Sequence, residues 1–228
     1  MRRVKLFGLG FRRPGMTLED FEDYWRHPHG TLGRKMATLR GYVQSHPVNT
    51  DLIPPGPQTF DCVAEMWFDS ERDVQELPHE SGYAQYIEPD AQHFCDVPRA
   101  TFLAAAEEVL TSDQPLSARA HPADADWSPE WCPTSIKLLH FVGTDRQDAW
   151  ALSGDQDIGR RLGALRHVRC HPLRALHPSP PYLGVHELWW PTLRALRDGV
   201  RRAPDAFQAL CTATPRSVVM IARAERYF

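Results

Sequence analysis

Val63, Glu65 and Trp67 fall at every second position among the apolar Cys62, Ala64, Met66 and Phe68, so the one polar residue shares a face with Val63 and Trp67, and the same Val-x-Glu-x-Trp pattern returns at Val185, Glu187 and Trp189. Alternation of this kind predicts strands, because successive side chains point to opposite faces. Other signals repeat in the same order. Leu39 to Pro47 matches Leu165 to Pro172 with a one-residue gap, and Lys5-Leu6-Phe7 is matched by Lys137-Leu138-Leu139. A spacing of roughly 120 to 130 residues, far above the 20 to 50 of solenoid repeats, predicts two domain-sized copies.

Within the first copy, residues 3–11 read as a strand ended by the turn residues Pro14 and Gly15. Thr17 is a helix N-cap, with Asp20 three residues on, and Leu18, Phe21 and Trp25 follow at the spacing of one buried helical face, ending near Pro28. His29 to Gly33 breaks regular helix. Strands follow at about 40–47 and 60–68, with a proline-rich loop at 51–58 between them. Ser70 caps a short helix, a second helical stretch covers about 80–95, and a strand from 99 to 110 closes the unit.

The order strand, helix, strand, strand, helix, strand predicts a ferredoxin-like unit, whose sheet carries helices on one face only. Residues 1–110 form one such domain, the proline-bearing stretch 111–134 a linker, and 135–228 the second domain. The fold class is therefore α+β, with two sheets closing face to face and a lined space expected between them.

Composition narrows the functional classes. Hydrophobic and charged contents of 42% and 24% are those of an ordinary globular protein, and no apolar run is long enough to span a membrane. The start Met1-Arg2-Arg3 has no secretory character, so a cytoplasmic location is expected. The five cysteines form no Cys-x-x-Cys pair, and a net charge of −3 without a basic stripe argues against a nucleic-acid partner. His27 with His29, and Cys170 with His171, lack the spacing of a full ligand set, so neither a metal nor a cofactor is expected.

The stretch Arg12-Arg13-Pro14-Gly15 through Phe21, Tyr24, Trp25, His29 and Gly30 closely resembles the opening of EthD-like proteins, and Asp90 to Asp96 resembles a later segment of that family. The resemblance implies the dimeric α+β barrel superfamily, here as an intramolecular pseudo-dimer, with a further homodimer left open. It covers residues 3–110. The second half matches only through its strands and lacks the Pro-Gly turn and the Tyr-Trp with His-Gly, offering Trp150 and Gly154 instead. Any retained chemistry is then expected in the first half.

Strand alternation puts Tyr42, Gln44 and His46 on one face, Val63, Glu65 and Trp67 on another, with His167, Arg169 and His171, and Val185, Glu187 and Trp189, as second-half counterparts. All four polar-bearing faces are expected to line the space between the sheets. His29, His46 and Glu65 are the catalytic candidates, and Tyr24, Tyr42, Gln44 and Trp67 the substrate-binding ones. An imidazole titrating near neutrality suits proton transfer, while His29 capping a helix end and Glu65 in a structural ion pair are the competing readings. The expected activity is a cofactor-independent isomerase or lyase acting on a small oxygenated aromatic, lactone or polyketide-like compound. A cofactor-free oxidoreductase or oxygenase of the EthD type, and a non-catalytic small-molecule binder, are the alternatives.

Overall fold

A computed structural model describes residues 3–53, 60–110, 122–144, 155–211 and 216–228. The loop expected at 51–58, the linker at 111–134 and the segment containing Trp150 therefore lie wholly or partly outside the described residues. Eight strands, β1 (Val4–Gly10), β2 (Gly41–Pro47), β3 (Cys62–Phe68), β4 (Thr101–Leu110), β5 (Thr134–Val142), β6 (Arg166–Pro172), β7 (Gly184–Trp190) and β8 (Val218–Arg226), close into an antiparallel barrel of order β1-β3-β2-β8-β5-β7-β6-β4. Within it, β4-β1-β3-β2 and β8-β5-β7-β6 are two sheets of identical strand order, as expected of tandem ferredoxin-like units. The β2–β8 and β4–β6 pairings close the barrel and remove the free sheet edges.

Helices coat the outside. In the first half these are α1 (Leu18–Tyr24), α2 (Gly30–Leu32), α3 (Glu71–Gln75) and α4 (Glu88–Phe94); in the second, α5 (Asp155–Arg161), α6 (Leu193–Arg202) and α7 (Pro204–Cys211). Local sequence explains their starts. The Thr17 hydroxyl accepts from the Asp20 N–H, and Ser70 and Asp73 cap each other reciprocally. After α1, a wider turn over Trp25–His29 kinks at His27, which has extended torsions just before Pro28, and helix resumes at Gly30.

The barrel interior is packed. Phe7, Leu9, Val63, Leu103, Leu139, Phe141, Val168, Val185 and Met220 form one apolar cluster from both halves. A lined chamber running between the sheets, expected from the sequence, is replaced by side chains. What remains of it is an opening at one barrel end, described below.

Two strand faces are also corrected. Val43 pairs with Glu65, and Val168 with Glu187. Directly opposed residues share a face, so Val43 and Ser45 point inward with Glu65, whereas Tyr42, Gln44 and His46 point outward to the helices. His167, Arg169 and His171 likewise face outward. A one-residue difference in phase exchanges the two faces of a strand completely, and in both β2 and β6 the histidine-bearing phase is the one turned outward.

Candidate active site

Two cavities flank the first half on opposite faces of its sheet. The first, about 210 Å³, opens at the barrel end where Trp67, Trp189, Lys137 and Glu107 meet the rim arginines Arg40, Arg166 and Arg226. The second, about 120 Å³, lies between the outer face of the sheet and the covering segments 25–29, 33–39 and 83–94, the last ending in α4. Its sheet wall is Gly8, Gly10, Tyr42, Cys62, Ala64 and Met66. Glycine and alanine at the sheet positions leave this space open, and Trp25, Met36, Leu39 and Phe94 make it apolar.

His29 lines the second cavity and is the best-equipped group there. Its Nδ1 lies 2.7 Å from Asp90 Oδ2, and the Tyr24 hydroxyl donates to Asp90 Oδ1 at 2.8 Å. The carboxylate can only accept, so Nδ1 carries the hydrogen and Nε2 holds the lone pair. Among the described residues Nε2 has no hydrogen-bond partner, and it is the atom a ligand would meet. Burial lowers the His29 pKa below its ordinary value, with the Asp90 hydrogen bond and charge opposing, so the ring is neutral at pH 7. A neutral imidazole, oriented by a carboxylate and bordering an apolar cavity, is an arrangement suited to taking a proton.

Aromatic contacts and backbone hydrogen bonds frame this pair. The Phe94 ring packs against His29 at 4.5 Å and against Phe21 and Tyr24 at 5.6 Å. The end of α4 is tied to the extension of β1 by Arg13 N–H to the Phe94 carbonyl (2.7 Å) and Asp96 N–H to the Phe11 carbonyl (2.8 Å). Asp90 therefore arrives beside His29 through the same tether that closes the cavity.

The other candidates from the sequence are dispersed. Tyr42 lines the His29 cavity and Trp67 the barrel-end cavity. Gln44 is fully buried and donates to the Trp25 carbonyl at 2.6 Å and to the Tyr42 hydroxyl at 3.0 Å. His46 lies on the helix side under Trp25, ring centroids 4.5 Å apart, and borders neither cavity. Burial, then the cations Arg26 and Arg223, push its pKa down to about 3. Glu65 is buried inside the barrel, on the opposite face of the sheet from His29. The expected grouping of His29, His46 and Glu65 around one hollow is not formed.

Glu65 belongs instead to a buried square of charges. Lys5 bonds Glu65 (2.7 Å) and Glu187, while Lys137 bonds Glu187 (2.7 Å) and Glu65, so each lysine bridges the two halves. Ser45 donates to Glu65 at 2.7 Å and Cys170 to Glu187 at 2.9 Å. Burial opposes the charge on Lys5, but Glu187, Glu65 and Glu107 outweigh it and raise its pKa well above the ordinary value. Burial likewise opposes ionisation of Glu187, but Lys137 and Lys5 bring its pKa down to about 2. Glu107, Cys170 and Glu187 offer three metal-ligand atoms close together, yet the Lys5 ammonium bonds both carboxylates and fills the cation position. Sequence reading missed these lysines as a feature. The signal was there, since Lys5 is in phase with Phe7 and Leu9, and a lysine on an apolar strand face needs an anionic partner.

Residues 13–98 match the EthD domain. No curated protein sequence matches the chain. Among solved structures, an anthrone oxidase-like protein matches with a TM-score of 0.51 and 10% identity over 99% of this chain and 93% of its own. A variant of chlorite dismutase from Candidatus Nitrospira defluvii matches with a TM-score of 0.50 and 10% identity over 98% and 91%. An EthD-family protein from Bacillus halodurans is 24% identical, covers 45% of this chain and 95% of its own, and has a TM-score of 0.37. The first two share the whole tandem fold; no helix of the described residues is long and apolar enough to cross a membrane. Residues 13–98 thus match the EthD domain, and they lie within a closed eight-stranded antiparallel barrel.

Proposed function

We propose that this protein is a cofactor-free oxidase of small enolisable or phenolic compounds, with His29 as the general base. The observation that carries the reading is the His29–Asp90 pair bordering an apolar cavity on the helix side of the EthD domain. The name of the structural neighbour, anthrone oxidase-like, favours oxidation over isomerisation or decarboxylation, which would begin with the same proton abstraction.

Cavity size limits the substrate. An engineered cavity of about 150 Å³ holds benzene, so a space of about 120 Å³ takes one compact ring. The substrate class is therefore a one-ring aromatic bearing a methylene beside a carbonyl, or a phenol of similar size.

For a methylene ketone, His29 Nε2 takes one C–H proton and Asp90 stabilises the imidazolium. The resulting enolate passes electrons to dioxygen, and a carbon–oxygen bond forms. The peroxide anion recovers the proton from His29, then loses the second methylene hydrogen with hydroxide, as water. The methylene is oxidised by four electrons to a carbonyl, and dioxygen is reduced to that carbonyl oxygen and one water. Tyr24 holds Asp90 in place. Positioned acid–base groups supply about 10² to 10⁴ in rate.

The test is oxygen uptake with 2-indanone and related ketones bearing one aromatic ring, with the dione identified by mass spectrometry. One dioxygen consumed per dione formed, with uptake lowered by about 10² to 10⁴ in His29→Ala, is expected. Binding without consumption of dioxygen by any compound of the class would favour the small-molecule binder.

A further inference from the structure

Proton abstraction by His29 leaves an enolate, and a negative oxygen in an apolar cavity needs a hydrogen-bond donor. Besides His29, the side chains lining the space that carry a donor are Trp25, Tyr42, Cys62, Tyr83 and Cys95. The two thiols are weak donors, and Tyr83 is partly exposed. Tyr42 is the buried hydroxyl of the group, 5% exposed on the sheet wall.

The Gln44 amide fixes the direction of the hydrogen bonds around Tyr42. One of its terminal atoms lies 2.6 Å from the Trp25 carbonyl, which can only accept, so that atom is the nitrogen Nε2. An amide nitrogen does not accept, and at 3.0 Å it donates its second hydrogen to the Tyr42 oxygen. Gln44 Oε1, on the other side, is 3.1 Å from the Tyr227 hydroxyl. Tyr42 is therefore an acceptor toward Gln44, and among the described residues no acceptor takes its own hydrogen. The hydroxyl also lies close to the base. A Cβ at Gly30, the residue after His29, would come within 2.9 Å of the same Gln44 Nε2. Burial raises the Tyr42 pKa above the ordinary tyrosine value, with the hydrogen bonds from Gln44 and Trp25 opposing, so the group stays protonated where His29 is a neutral base.

We propose that the Tyr42 hydroxyl donates a hydrogen bond to the carbonyl oxygen of the substrate and holds the enolate formed when His29 takes the neighbouring proton. The inference rests on the His29 cavity being the site of reaction. The proton leaves carbon for His29 Nε2, the electron pair moves onto oxygen, and Tyr42 keeps its own proton throughout. A hydrogen bond to a charged acceptor is roughly twice as strong as one to a neutral acceptor, so the contact favours the enolate over the ketone and lowers the barrier. It also selects for a ligand with an oxygen, since a hydrocarbon of the same shape leaves the Tyr42 hydrogen without a partner.

The test compares 2-indanone with indane, which has the same rings without the oxygen, on the full chain under nitrogen. Calorimetry should show the parent binding 2-indanone about tenfold more tightly than indane, and Tyr42→Phe binding the two alike. The infrared carbonyl stretch of bound 2-indanone should lie below its position in hexane for the parent and return to that position for the variant. In oxygen-uptake assays kcat/KM of Tyr42→Phe should fall by about 10² to 10³. An unchanged preference and an unchanged stretch in the folded variant overturn the role of Tyr42 while leaving His29 as the base. A stretch that shifts in the parent and not in the variant, with no dioxygen consumed by the parent, upholds Tyr42 as the donor and ends the oxidase reading. Should Tyr42→Phe not fold, the parent decides it: a stretch at the hexane position overturns the hydrogen bond. Absence of 2-indanone binding by the parent overturns both.

Discussion

At the residue scale the account rests on one imidazole and its carboxylate. His29→Ala should lower kcat/KM by about 10² to 10⁴ with the fold retained by circular dichroism. Asp90→Asn should cost less, because Nε2 remains while its orientation and the stabilisation of the imidazolium are weakened. The pH dependence has a defined direction. Burial depresses the His29 pKa from its ordinary value, so the basic form is present at neutral pH. The kcat/KM profile should be level through pH 7 and fall on acidification at a pH below 6.5, the ordinary histidine value; a fall beginning well above neutrality would contradict the assignment. His29 was legible in the sequence from its place after the Tyr-Trp helix. Asp90 was visible only as a member of a motif, and its partner was not, because 61 residues separate them.

At the element scale, strands and helix starts followed from local rules, while the facing of two strands did not. Thr17 and Ser70 cap helices as their side chains dictate. In β2, however, Tyr42, Gln44 and His46 suggested a polar lining, and only the pairing of Val43 with Glu65 shows that they lie under the helices. Register is a property of two strands and is absent from either alone. The same outward face yields a prediction: Ala64→Ile, at a cavity-lining position, should abolish ligand binding in the His29 cavity, measured by calorimetry with 2-indanone, while the protein stays folded. Helix α6 supplies another. Glycine to alanine in a helix interior usually stabilises by up to about 1 kcal/mol, but a Cβ at Gly199 would lie 1.9 Å from the Leu162 carbonyl oxygen. Gly199→Ala should therefore destabilise, by about 1 to 3 kcal/mol in urea unfolding; a gain in stability would refute the close approach.

At the scale of the whole molecule, duplication accounts for the closed barrel, and the recurring Glu65 and Glu187 mark its centre. From the sequence Glu65 is a catalytic candidate with a structural role as the competing reading, and it is the structural role that the recurrence at Glu187 favours. Buried among Lys5 and Lys137 the two carboxylates join the halves. Removing one member leaves an uncompensated buried charge, so Lys137→Met should destabilise by about 3 to 5 kcal/mol in denaturant titration. Acid should weaken the fold as well. His46, with a pKa near 3, and His167, near 4, bind protons more readily when unfolded. Stability is full above about pH 6.5 and declines as pH falls toward those values, with His167 alone accounting for on the order of 3 kcal/mol. Glu187, held near 2, adds a further loss below about pH 4.5.

Where a ligand binds distinguishes the two cavities, because they lie on opposite faces of one sheet. Crystals soaked with 2-indanone under nitrogen should show the compound between the first sheet and its helices, its reactive methylene within contact of His29 Nε2. Density at the barrel end beside Trp67 and Trp189, with the His29 cavity unfilled, would rule out His29 as the base.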